Sequence, residues 1–153
     1  LILGDFLNTP IFAQNKIGEN KMLDELLKFS ENQAITATAN SENIIDLGKD
    51  REIAAGNPVP LLVTVKEDFN NLTSLKVAVE TSASSAMTDA VELASSTVLL
   101  ANLKKGKMIP ISFMPVGNKG FVRLKYTVTG TAPTTGKVSA YLTDVLPISH
   151  HNI

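Results

Sequence analysis

Apolar and polar side chains alternate with period two along several short stretches of this chain, the spacing that turns one face of a strand toward a core. The clearest is "FVRLKYTV" (121–128), where Val122, Leu124, Tyr126 and Val128 share one face and Phe121, Arg123, Lys125 and Thr127 the other. After the polar link "TGTAPTTG", Val138, Ala140 and Leu142 face inward in a return strand, with Ser139, Tyr141 and Thr143 outward. Gly130 and Gly136 bracket that link, which is longer than a two-residue hairpin turn. Burying these seven inward side chains contributes on the order of 10 kcal/mol before chain entropy is subtracted.

The same device recurs upstream. In "PLLVTVKE" (60–67), Leu61, Val63 and Val65 oppose Leu62, Thr64 and Lys66; in "SLKVAVET" (74–81), Leu75, Val77 and Val79 oppose Lys76, Ala78 and Glu80. The link "DFNNLT" has turn composition. "AITATA" (34–39) and "NIIDLG" (43–48) are short β-leaning runs around the polar "NSE". The stretch 82–106 admits a helical turn near Met87 to Leu93, then strand from Thr97 to Leu100. "KMIPISFM" (107–114) reads as a further strand, with Pro110 placing it at an edge or a bulge.

Two segments break the pattern. In "NKMLDELLKFS" (20–30), Asn20 is a cap and Leu23, Leu26 and Leu27 lie at helical spacing, predicting a helix of two to three turns that must pack on something. Residues 1–20 fit neither period, and Gly4, Pro10 and Gly18 interrupt them. Their apolar content favours an arm that orders against another surface over a free linker. The bland alternative folds them back over their own sheet.

About eight short strands with almost no long helix predict an all-β fold, a jelly-roll β-sandwich of antiparallel strands with an extended N-terminal arm and a short helix. The division is an arm over 1–20, a jelly-roll domain over 21–149 and a flexible tail over 150–153. Strand order stays open at this level.

Composition narrows the function. The 153 residues suit one domain, and 44% apolar against 19% charged residues excludes a disordered chain. Fourteen basic against fifteen acidic side chains argue against a nucleic-acid binder driven by phosphate neutralisation. There is no cysteine, hence no disulfide framework or thiolate chemistry. No apolar run approaches the roughly 20 residues of a membrane helix, so no membrane partner is expected, and no signal peptide is visible.

Candidate chemistry stays thin. The two histidines, His150 and His151, sit at the chain's end, and no serine occupies a Gly-x-Ser-x-Gly elbow. Ser84, Ser85, Ser95 and Ser96 read as loop or outward positions. Glu67–Asp68 precedes a turn, and Asp24–Glu25 suits the start of a helix. Glu80 and Glu92 could meet across a sandwich, although nothing in the spacing demands it. Asp46 and Asp50 in "IIDLGKDRE" lack the alternating oxygen ligands of a calcium loop; pairing of either with Arg51 is the simpler use. "GNKG" (117–120) is a turn, not a phosphate loop. Two tyrosines and no tryptophan weaken a sugar- or base-stacking platform. The expectation is a protein without catalytic residues, metal or cofactor.

Several segments together resemble a known family. They are "LLKFSENQAITATANSENIIDLGKDREIAAGNPVPLLVTV", "FVRLKYTV" and "GKVSAYLTDV", spread over roughly 22–145 with a weaker middle. Phe29–Ser30, Gln33–Ala34, Asp46–Leu47–Gly48 and Arg51 to Gly56 carry the first part; Arg123, Leu124, Tyr126, Gly136, Lys137, Val138, Ala140 and Leu142 carry the rest. In these the chain resembles the small jelly-roll cement, or decoration, proteins of tailed-phage heads, of the type on a Bordetella phage. The resemblance implies a homo-oligomer, dimer or trimer, on the outer surface of the virion capsid, bound to the major capsid protein and bridging neighbouring capsomers. Family members often begin near the position of Met22, so the stretch ahead of it is a departure. In that stretch Phe6, Leu7, Pro10, Ile11, Phe12 and Ile17 are the expected capsid- or subunit-contact residues. The alternative is a jelly-roll carbohydrate- or receptor-binding module of a phage fibre or secreted protein.

Overall fold

The computed structural model describes residues 27–48, 59–111 and 114–143, and these form two facing antiparallel sheets. The strands are β1 (Lys28–Ala34), β2 (Ala39–Asn40), β3 (Ile45–Asp46), β4 (Leu61–Glu67), β5 (Leu72–Ser82), β6 (Val91–Leu99), β7 (Phe121–Gly130) and β8 (Lys137–Leu142). The smaller sheet runs β1-β8-β4. The larger runs β2-β7-β5-β6, with β3 also paired to β7. A strip at 106–109 continues the smaller sheet beyond β4. Val65 N–H donates to the Lys107 carbonyl at 2.9 Å, Ile109 N–H to Val63 at 2.9 Å, and Gly106 N–H to Val65 at 2.8 Å. The order β1-β8-β4-strip, facing β2/β3-β7-β5-β6, is the winding of a jelly roll.

The alternating faces meet where the pattern set them. Leu61, Val63 and Val65 of β4 and Val138, Ala140 and Leu142 of β8 are wholly or almost wholly buried, as are Leu75, Val77 and Val79 of β5 and Val122, Leu124 and Tyr126 of β7. The two sheets thus close one core, lined on each side by period-two positions. β5 sits between β6 and β7 and is buried along most of its length, including Ala78 and Glu80 on its other face.

Four local expectations are corrected. Lys28 to Ser30, assigned to the end of a helix, open β1: Phe29 is wholly buried, and pairing with β8 outweighs helical spacing. The rest of that helix, from Asn20 to Leu26, lies outside the described residues. "AITATA" is a corner and not a strand. Ile35 is buried and donates to the Gly136 carbonyl at 3.1 Å, after which the chain bends across to the larger sheet and forms only β2. No helical turn spans Met87 to Leu93. Met87 has a left-handed φ of 56° and closes a turn by donating to the Ser84 carbonyl at 3.0 Å, and β6 follows at once. The open side of β5 offers a full ladder there, and that outweighs the helix preference of alanine. "KMIPISFM" makes a single bridge, Met108 to Thr64, in place of a regular strand, with Pro110 at the margin as its missing N–H requires.

Candidate interaction surface

The polar groups singled out in the sequence have structural partners. Glu80 and Glu92 do come together, not across the sandwich but as neighbours on β5 and β6. Each carboxylate holds a cation. Arg123 Nε donates to Glu80 at 2.8 Å in a largely buried pair, and Lys76 Nζ to Glu92 at 2.9 Å in an exposed one. The Lys76 hydrogen bond holds the Glu92 carboxyl below its usual range. Glu67 accepts the Gly136 N–H and Asp68 the Lys105 N–H, so this acidic pair ties two loops to β4. Asp46 accepts the Gly48 N–H and closes its own turn. Asp89, which accepts from Ser82 Oγ, is held below its usual range by that bond. Among the described residues no cluster of histidine, aspartate and glutamate has metal-binding spacing. Asp50, Arg51, His150 and His151 lie outside the described residues, as do Phe6, Leu7, Pro10, Ile11, Phe12 and Ile17.

The aromatic inventory is equally committed. Tyr126 is wholly buried, and its hydroxyl meets Ser30 Oγ at 2.8 Å across the two sheets. Tyr141 is half-buried beside a shallow polar pocket of about 220 Å³ lined by Lys28, Glu31, Lys66 and Ser139.

What distinguishes the molecule is the state of its sheet margins. An exposed strand edge carries a row of unpaired N–H and C=O groups, and proteins blunt such edges with bulges, charges, short strands or cover. Three margins here are blunted. β1 is broken by two register shifts and a left-handed Asn32, and it is covered where Asn43 donates to the Phe29 and Lys28 carbonyls. β4 is covered by the 106–109 strip. The β2/β3 side is cut into two two-residue pieces, between which Ser41 Oγ and N–H both engage Leu124.

The fourth margin, β6, has none of these devices. It is nine residues long, "VELASSTVL", with no proline, no basic residue and one acid, Glu92, already paired. Among the described residues no strand pairs with its outer side. Only Val98 is buried; Val91 is 45% and Leu99 59% exposed. The larger sheet overhangs the smaller here. Beneath the overhang runs a groove of about 430 Å³ lined by Thr97, Val98, Leu99, Asn102, Met108 and Pro110, with Lys107 at its rim. This surface binds by geometry: a row of free main-chain groups next to an apolar trough is a receptor for an extended segment.

The sequence hid it. Neither face of β6 is deeply buried, so alternation is weak there, and the Ala- and Ser-rich run mimics helix. The one available signal was negative, nine residues of strand length without a charge to guard their middle.

A family model, Bbp16, matches residues 29–142, from the second residue of β1 to the last of β8. No curated protein matches the chain.

Proposed function

The chain belongs to the Bbp16 family, which fits a Bordetella-phage protein family, and from this premise we propose that it is a capsid cement protein of a tailed-phage head. It sits on the outer surface of the shell as a homo-oligomer, binds the major capsid protein and clamps neighbouring capsomers. It acts without catalysis, metal or cofactor. The observation that carries the reading is a rigid two-sheet block whose acidic pairs serve as internal ties while one long margin stays open to partners. The N-terminal arm, with Phe6, Leu7, Ile11 and Phe12 as anchors, supplies the second contact.

The mechanism is multivalent. Once one contact forms, the others occur at high effective concentration, so modest individual affinities hold the shell. An interface of roughly 1,600 Å² per contact suffices. A carbohydrate-binding role finds less support: Tyr126 is buried, which leaves Tyr141 as the one tyrosine near the surface.

The test adds purified protein to heads lacking it and follows occupancy by electron microscopy, together with resistance of the heads to heat. Regular external density with raised heat resistance is expected. Heads that remain bare at saturating protein would overturn the reading. Removing residues 1–20 is expected to weaken attachment while the body stays folded.

A further inference from the structure

Resting on the cement reading, we propose that the open margin of β6 receives residues 5–12, "DFLNTPIF", from a second copy of this chain as an added antiparallel strand. The margin dictates what it will take. With its middle uncharged and its trough apolar, it excludes a charged strand, because burying an unpaired charge there is unfavourable. Residues 1–15 contain a single charge, Asp5, and four large apolar side chains lie between Phe6 and Phe12. Pro10 is compatible with an outermost strand, where one side of the backbone needs no partner.

The charges also set direction. Lys107 stands at the rim of the groove and Lys105 in the loop before it, both exposed. Placing Asp5 near them puts Phe6 and Leu7 over Leu99 and Met108, and carries Ile11 and Phe12 toward Leu93. That is antiparallel to β6, with Thr9 opposite Ser95. Reach is ample. Phe12 lies fifteen residues ahead of Leu27, a tether of up to about 50 Å when extended. β1 borders the far side of the smaller sheet, so the donor's tether leaves from the margin opposite its own β6. Between copies held side by side on a shell, the donated strand links each to the next.

The cysteine-free chain allows a clean test. Full-length Thr9→Cys and full-length Ser95→Cys are mixed, oxidised mildly and analysed by non-reducing electrophoresis and peptide mass spectrometry. A link between positions 9 and 95 in that mixture can form only between chains, and its appearance supports the proposal. The double variant in one chain is run in parallel. A link found only there, within single chains, overturns the second copy as donor, and no link in either overturns the strand addition. Thr97→Lys, a guarding charge placed on the margin, is expected to lower the cross-link yield by roughly tenfold or more with the thermal midpoint unchanged. An unchanged yield would count against the site. Head binding separates the two readings: a chain that decorates heads without forming the 9–95 link removes this inference and leaves the cement role.

Discussion

The buried hydrogen bond between the sheets yields the sharpest energetic prediction, because its protons can be assigned. Ser30 Oγ donates to Gln33 Oε1 at 2.7 Å and lies 2.8 Å from the Tyr126 hydroxyl. Serine has one proton to give, and it is used on Gln33, so Tyr126 must donate to Ser30. Removing either end is therefore not equivalent. In Tyr126→Phe, Ser30 keeps its bond to Gln33 and only one neutral hydrogen bond is lost, about 1 kcal/mol. In Ser30→Ala, a phenol in a wholly buried site has no acceptor, and the cost rises to about 2–3 kcal/mol. The double variant should then be more stable than Ser30→Ala alone, since it removes the stranded donor. Urea unfolding of the four proteins measures this directly. If Ser30→Ala costs no more than Tyr126→Phe, the proton assignment is wrong. The same group sets an alkaline limit. Burial pushes the Tyr126 phenol above its ordinary range, so above about pH 10 the unfolded chain loses a proton that the folded chain keeps. Stability from this site is whole below that pH and falls above it, by up to about 1.4 kcal/mol per unit. Tyr126→Phe should remove that part of the slope.

The remaining predictions concern packing and charge. Gly136 has φ of 133°, and a Cβ there would stand 2.3 Å from the Phe69 ring; Gly136→Ala should cost about 2–4 kcal/mol in urea unfolding. In a Phe69→Leu background the added cost should shrink as the clash is relieved. Arg123→Ala leaves the Glu80 carboxylate without its cation in a largely buried site and should cost about 2 kcal/mol. Lys76→Ala, at the exposed pair with Glu92, should stay within about 0.5 kcal/mol in the same assay. Equal effects at the two pairs would contradict the burial argument.

Legibility along the chain followed the depth of burial. β4, β5, β7 and β8 were read nearly to their ends, because each presents a face buried on one core, and period two leaves no other arrangement for such faces. The corner at Ile35 to Thr38 and the irregular strip at 106–109 were read as strands, since a corner and a strand use the same β-branched residues. β1 was misread because Leu23 to Leu27 carries helical spacing up to the strand's first residue, and the ladder with β8 is not visible locally.

What the sequence determined by itself was therefore the class of fold and most of its inward faces: alternation is a local property, and burial of one face follows from it. What tertiary structure decided was the pairing order, the partners of the polar groups, and above all the margins. Whether a strand is central or an edge depends on what lies beside it, and that is a relation between distant segments. "VELASSTVL" becomes an open receptor because β5 has β7 on its other side and nothing described covers the outer side of β6.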